Sequence, residues 1–426
     1  MVEQKNWSRR SFLGATTALS LSNCGRDDDH TVRFWAMGRE GEVAQQLLAE
    51  FIRENPDIRV HVEQLPWSAA HEKLLTAFAG DATPDIAQMG NTWLPEFVAL
   101  GALEPLEELM RDSSEIDASD YFPGIWDTNL VQQKLFGVPW YVDTRVLFYR
   151  RDLLTKAGFA APPATWAEWI TMLIAIKQMV GAANYAILLP LNEYDPLVAL
   201  ALQQDEPILR EDGRFGNFRS DGFRRTWQFY MSMYEQKLAP PASSNEIANV
   251  WNEFARGYFS FYISGPWQIG EFRRRLPPAM QSAWATAPLP GPHGAGASIA
   301  GGSSLALFRR SRHKKSAWKL VQYLSRPAVQ QRFYTLTGNL PPRRAAWKEN
   351  ALAADVAAMA FRNQLERARA VPKVPEWERV ATELRLMVER VVHGDITAES
   401  ALPALDLRVD RILEKRRWML ANGVGG

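Results

Sequence analysis

Cysteine is all but missing from this chain. Of 426 residues only Cys24 is a cysteine, and it lies near the N-terminus. An internal disulfide framework and a multi-thiolate metal site are thereby excluded. Histidine is scarce as well. His30, His61, His71, His293, His313 and His393 show no HxxxH or HxH spacing, so no zinc site and no metal or other cofactor is expected. Net charge is nearly absent: 49 basic side chains against 48 acidic ones leave a formal +1. That balance gives no electrostatic reason to expect nucleic acid or a strongly anionic partner. Long apolar runs are lacking too. The one near the start, 12–21, is too short and too mildly apolar to span a membrane.

What is present is an ordinary globular composition, 46% hydrophobic and 23% charged, at a length that suits two or three domains. The aromatic content is not ordinary, because 16 residues are Trp. An indole N–H needs a partner when buried, so an excess of Trp hints at a stacking surface as well as core.

The first thirty residues read as an address. Residues 8–13 (SRRSFL) carry a twin-arginine pattern ahead of the apolar run, which is the order of an export signal. Residues 21–25 (LSNCG) resemble a lipoprotein box in which Cys24 is acylated, although Asn23 departs from the usual small residue. The charged stretch 26–30 then forms a short tether. With Cys24 lipidated, the protein is anchored at the outer face of the cytoplasmic membrane; without it, the protein is free in the periplasm.

The mature chain is organised around 137–154, GVPWYVDTRVLFYRRDLL. Pro139 and the β-branched and aromatic residues around it favour an extended backbone. Trp140, Tyr141 and Asp143 then place flat apolar faces beside one carboxylate. A sugar fits such a surface: its C–H faces stack on aromatic rings and its hydroxyls donate to carboxylates. A buried strand with one paired Asp explains the same residues.

Upstream, strands at 31–37, 58–65 and 86–89 alternate with helices at 43–54 and 69–79. This β-α-β-α-β rhythm predicts a parallel sheet covered on both faces. Downstream, Thr165 caps a helix over 166–180. A strand at 185–190, helices at 197–204, 221–236 and 245–256, and an apolar strand at 258–263 make a second α/β unit. Residues 287–302 are crowded with Pro and Gly, as in a crossing between units. A strand at 304–308 and helices at 313–325 and 327–336 follow. Residues 338–343 (GNLPPR) form a second crossing, and the rest reads as helical.

Several motifs recur in one order: FWAMGREGE, TPDIAQMGNTW, GVPWYVDTRVLFYRRDLL, FSFYISGPWQIG, AGGSSLAL and GNLPPRRAAW. In that order and spacing the chain resembles the family-1 extracellular solute-binding proteins, receptors of carbohydrate ABC importers such as maltose- and trehalose-binding proteins. The resemblance implies an α/β, two-lobed periplasmic-binding-protein fold (type II), with the ligand cleft between lobes joined by three crossings. The lobes would be 31–142 plus 294–336, and 143–288 plus 340–420. It further implies a sugar ligand, a membrane permease as partner, no nucleic acid, and a monomer that is not an enzyme.

The implied ligand-binding residues include Arg39, Glu40 and Glu42 in the turn after the first strand, whose charges also suit capping and solvated surface. Trp67 and Trp93 come from the first lobe. Tyr141 and Asp143 lie at the crossing. Asn192, Glu193 and Tyr194 form a polar loop of the second lobe, and Trp267 after SGP takes the aromatic-platform position. Trp251 and Trp377 are further stacking candidates. Gly301, Gly302 and Ser303 allow close backbone approach, and Arg343 could fork onto hydroxyls or a carboxylate. Two other classes use similar residues. A glycoside hydrolase could draw an acid and nucleophile from Asp143, Glu193 and Glu42. A polyamine receptor would need several converging carboxylates, and a metal receptor His or Tyr clusters.

Overall fold

The computed structural model describes residues 31–423 apart from 112, 114, 248 and 349. The twin-arginine segment and Cys24 lie outside the described residues. Among them, no helix is long and apolar enough to cross a membrane.

Nine strands make two sheets: β1 (Thr31–Met37), β2 (Arg59–Leu65), β3 (Ile86–Gly90), β4 (Val138–Asp143), β5 (Val146–Arg150), β6 (Ile187–Leu188), β7 (Phe261–Ser264), β8 (Trp284–Ala287) and β9 (Gly301–Leu307). The first sheet has the order β2-β1-β3-β9-β4, and the second β8-β5-β7-β6. The chain leaves the first sheet at Asp143 and enters the second at Val146, so only Thr144 and Arg145 separate the two.

Neither sheet is wholly parallel, which corrects the expectation for the first unit. β1 runs parallel to β2 and β3, but β9 runs antiparallel to β3 and to β4. The reason lies in connectivity. β1, β3 and β4 rise towards one edge of the sheet, whereas β9 returns from the second unit and enters at that edge. Met37, Gly90, Asp143 and Gly301 therefore gather at one end. In the second sheet β5 is antiparallel to β7 and β8, and β7 is parallel to β6.

Helices cover both sheets. The helix Gly38–Glu54 buries Val43, Ala44, Leu47, Leu48 and Phe51, spaced three and four apart as a one-faced helix requires. It begins five residues earlier than the apolar periodicity marks, so Arg39, Glu40 and Glu42 lie in its first turns. Trp140 on β4 stacks on Phe333 at 4.5 Å and 13°, fixing the crossing strand against the helix Pro327–Thr337. Full burial of the Phe333 ring contributes roughly 1.5–3 kcal/mol. Thr165 caps the helix Trp166–Val180 through a complete capping box with Glu168. One predicted helix is shorter than its pattern: Val250–Arg256 starts only after Asn249, whose side chain accepts from the Asn252 N–H.

Candidate functional site

The strand ends described above place two groups of side chains beside the crossing. The first surrounds Glu40, in the first turn of the helix that follows β1. Its carboxylate is buried and accepts from Asn339 Nδ2 at 2.7 Å. Burial pushes the Glu40 pKa up, against hydrogen bonds that include Asn339, Tyr141 and Trp67. Gln88 on β3 fixes the neighbouring backbone, accepting from Met37 N at 2.7 Å while its Nε2 lies 3.4 Å from the Tyr141 hydroxyl. Trp67 lies over Gly38: a Cβ there would meet the indole Cδ1 at 3.0 Å, on a backbone of φ +50°. Glycine is therefore required where the Trp67 ring crosses the chain. Trp67 is 38% exposed. It meets Trp93 edge to face at 5.7 Å, and His71 also meets Trp93 edge to face, at 5.0 Å. His71 is bonded to Glu96 at 2.7 Å, and that bond raises its pKa.

The second group surrounds Arg145. Its guanidinium donates to Asp143 and, at 3.0 Å, to Asp195, and lies 4.9 Å from the Trp267 ring centroid. Trp267 is 43% exposed. It folds back over Gly265 so closely that a Cβ there would fall 1.9 Å from the ring, which is why the SGPW turn needs glycine at that place. Two carboxylates share one cation here. Burial lifts the Asp143 pKa to about 6, Arg145 pulls it down and Asp195 pushes it up. Burial likewise raises Glu193, to about 7, with Asp195 adding to the rise and Arg145 opposing it. The Tyr194 phenol is pushed well above its ordinary value, first by burial and then by Asp195 and Glu378. The two groups meet at β4, where Tyr141 and Asp143 stand two residues apart on one face. The Tyr141 phenol is raised by burial first and then by the charges of Glu40 and Asp143. Thr92 Oγ1 donates to Glu378 Oε1 at 2.6 Å, joining the edge of the first sheet to the helix Trp377–Val392.

Of the sequence candidates, Glu40, Trp67, Trp93, Tyr141, Asp143, Glu193, Tyr194 and Trp267 fall into these two groups. Arg39 and Glu42 pair with each other at 2.9 Å on the solvent side of their helix. Asn192 ties two loops together, donating to Ser244 Oγ at 2.8 Å and accepting from Ser244 N at 2.7 Å. Gly301 and Gly302 lie against the backbone of Asp143 and Tyr141. The Ser303 hydroxyl donates to Met89 O inside the sheet. Trp251 donates to Gln268 Oε1 and carries the Arg275 guanidinium at 4.2 Å. Trp377 is 1% exposed in a core cluster. Arg343 forks onto Asp120, Glu115 O and Ser325 O, away from both groups.

Arg145, Asp195, Asn339, Gln88, His71 and Glu378 were not among the candidates. Arg145 carried the clearest missed signal, a lone cation two residues after Asp143. A cavity of about 1030 Å³ opens elsewhere, lined by Trp166, Gln203, Arg225, Phe229, His293 and Glu366 among others. No cluster of metal-ligating side chains occurs among the described residues.

Two α/β sheets whose strand ends converge on a crossing define a two-lobed binding protein of the MalE type. The model of the bacterial extracellular solute-binding protein family matches residues 36–331, more than half of the chain, and the chain belongs to that family. It is 55% identical to the sugar-binding protein MalE of Xanthomonas citri, whose structure covers 92% of this chain and is covered to 99%, at a TM-score of 0.90. It is also similar to the diacetylchitobiose-binding protein DasA of Streptomyces coelicolor, 23% identical over 90% of this chain and 93% of that one. The maltotriose-binding protein of Pyrococcus abyssi is 22% identical over 84% of this chain and 77% of its own.

Proposed function

We propose that this protein is the substrate-binding receptor of an ABC sugar importer. It captures a sugar in the groove between its lobes and delivers it to a membrane permease. The observation that carries this reading is the pairing of exposed indoles with acids withdrawn from solvent: Trp67 beside the buried Glu40, and Trp267 over Arg145, which clamps the half-buried Asp143. The indole faces suit the C–H faces of a pyranose, and the acids and amides accept and donate to its hydroxyls. A disaccharide such as maltose or trehalose matches two aromatic platforms set on opposite lobes. The lobes 31–142 plus 294–336 and 143–288 plus 340–420 close on it as rigid bodies. The chain is exported, and acylation of Cys24 anchors it.

Nothing is chemically transformed in this reading. Asp143, the acid a hydrolase would use, is clamped by Arg145, and Glu42 is paired with Arg39 on the solvent side. A calorimetric screen of mono- and disaccharides tests the proposal. Saturable binding of a disaccharide, with the melting temperature raised, supports it. Release of monosaccharide during prolonged incubation, or binding of polyamines in place of sugars, overturns it.

A further inference from the structure

The far pole of the first lobe carries a concentrated positive charge that the overall balance conceals. Residues 309–315 read RRSRHKK. They join β9 to the helix Lys314–Leu324. Carboxylates neutralise part of this run: Arg310 pairs with Asp81 at 2.6 Å and Lys314 with Glu104 at 2.9 Å. Asp85 is engaged inside, accepting from Ser311 Oγ and from Arg33 N. Arg309, Arg312, Lys315 and Lys319 remain exposed, with no carboxylate partner among the described residues. Lys315 and Lys319 stand one helical turn apart on the same face. Beside them a hollow of about 600 Å³ is lined by Thr31, Arg33, His61 and the turn 310–313, with Asp81, Thr83 and Asp85.

The position of this patch matters as much as its charge. β1 runs from Thr31 at the patch to Met37 at the groove. Seven residues of strand at ~3.3 Å each put the two poles roughly 20 Å apart. The preceding chain joins the lobe at Thr31, at the patch end of β1 and not at its groove end.

We propose that this pole is a docking surface for the anionic phospholipid headgroups of a bilayer. The exposed cations Arg309, Arg312, Lys315 and Lys319 supply the attraction. Each cation near an anionic surface gains about 1 kcal/mol, roughly fivefold in partitioning, and the gain is screened by salt. In this posture the groove faces away from the bilayer. The contact therefore belongs to the receptor while it is off its permease.

The test uses the full chain carrying Cys24→Ser, so that acylation contributes nothing, sedimented with vesicles. Phosphatidylglycerol-rich vesicles are compared with pure phosphatidylcholine at low and at high salt. The expected result is binding to the anionic vesicles only, lost at high salt. It is weakened at least about tenfold by R309E/R312E/K315E, while sugar affinity and melting temperature stay unchanged. Anything the first thirty residues contribute is common to both chains and cancels. Equal binding to neutral vesicles, or no loss on charge reversal, overturns the proposal. So does an Arg312-dependent rise in melting temperature with inorganic phosphate but no vesicle binding, which would mark a discrete anion site. Residues Asp27, Asp28 and Asp29 are the competing occupant. Vesicle binding that appears only after their replacement by Asn also overturns it.

Discussion

The two sides of the groove hold their acids in opposite ways. On the first-lobe side, Glu40 is held by neutral donors, its own backbone N–H first and then Asn339. On the second-lobe side, Asp143 and Asp195 share the single cation Arg145. A carboxylate among neutral donors can take up a proton and keep its place, because Asn339 can still bond one of its oxygens. A carboxylate clamped by a guanidinium cannot lose its partner without leaving charge stranded in a poor solvent. The first arrangement is adjustable and the second rigid, and the difference orders the expected effects of mutation.

The strongest break is Arg145→Met. It strands Asp143 and Asp195 and removes the guanidinium from beneath Trp267. Stability should fall by about 3 kcal/mol in urea unfolding, and sugar affinity by about a hundredfold or more by calorimetry. Loss of binding with unchanged stability would show that the clamp does not hold the lobe together. Next comes Trp267→Ala. The residue is 43% exposed, so the melting temperature should hardly move while affinity falls roughly tenfold or more. Trp67→Ala does the same from the other side, and equal losses would make the two platforms equivalent. Glu40→Gln should cost less, only about threefold in affinity near neutral pH, since an amide keeps the shape and one acceptor. A loss as large as that of Arg145→Met would erase the contrast between the two sides.

The smallest effect is one of pH. Asp143 and Glu193 have folded pKa values of about 6 and about 7, above their ordinary 3.8 and 4.5. The folded protein thus binds these protons more tightly than the unfolded chain does. Their contribution to stability is fully present below about pH 4 and is lost as pH rises through about 6 and about 7. Glu193→Gln should flatten that decline, read as the difference in urea midpoint between about pH 5 and about pH 8. An unchanged slope would mean that Glu193 is ionised on both sides of that range.

Much of this was legible in the sequence, for local reasons. The capping box at Thr165 and the aromatic turn SGPW announce themselves because the interacting residues are neighbours along the chain. Glu40, Asp143 and Trp267 stand inside such motifs. The residues that escaped notice act across long separations. Asn339 meets Glu40 from 299 residues away, and Glu378 meets Thr92 across 286. Arg145 was passed over because a cation in a polar turn looks solvated until its two acids are seen around it. Trp377 and Arg343 show the reverse: residue type alone cannot separate a stacking ring from a core ring, or a ligand fork from an internal one. The antiparallel course of β9 was hidden for the same reason, since pairing direction depends on where a distant segment returns. Total charge misled too, averaging the run 309–315 away.

The link at Thr144 and Arg145 has a mechanical consequence. It is tied down on its other side by Ser298, whose hydroxyl takes the Arg145 N–H at 3.1 Å and returns a bond to its carbonyl at 2.8 Å. On the proposed two-lobed reading, Tyr141, Asp143 and Arg145 therefore stand at the pivot, where a swing of the lobes moves atoms least. Trp67 and Trp267 open helices on different sheets, so the same swing changes the gap between the two rings while Trp267 stays beside the Arg145 guanidinium. A molecule seated at such a fulcrum would be held by groups shared between the two halves while a ring approaches it from either side.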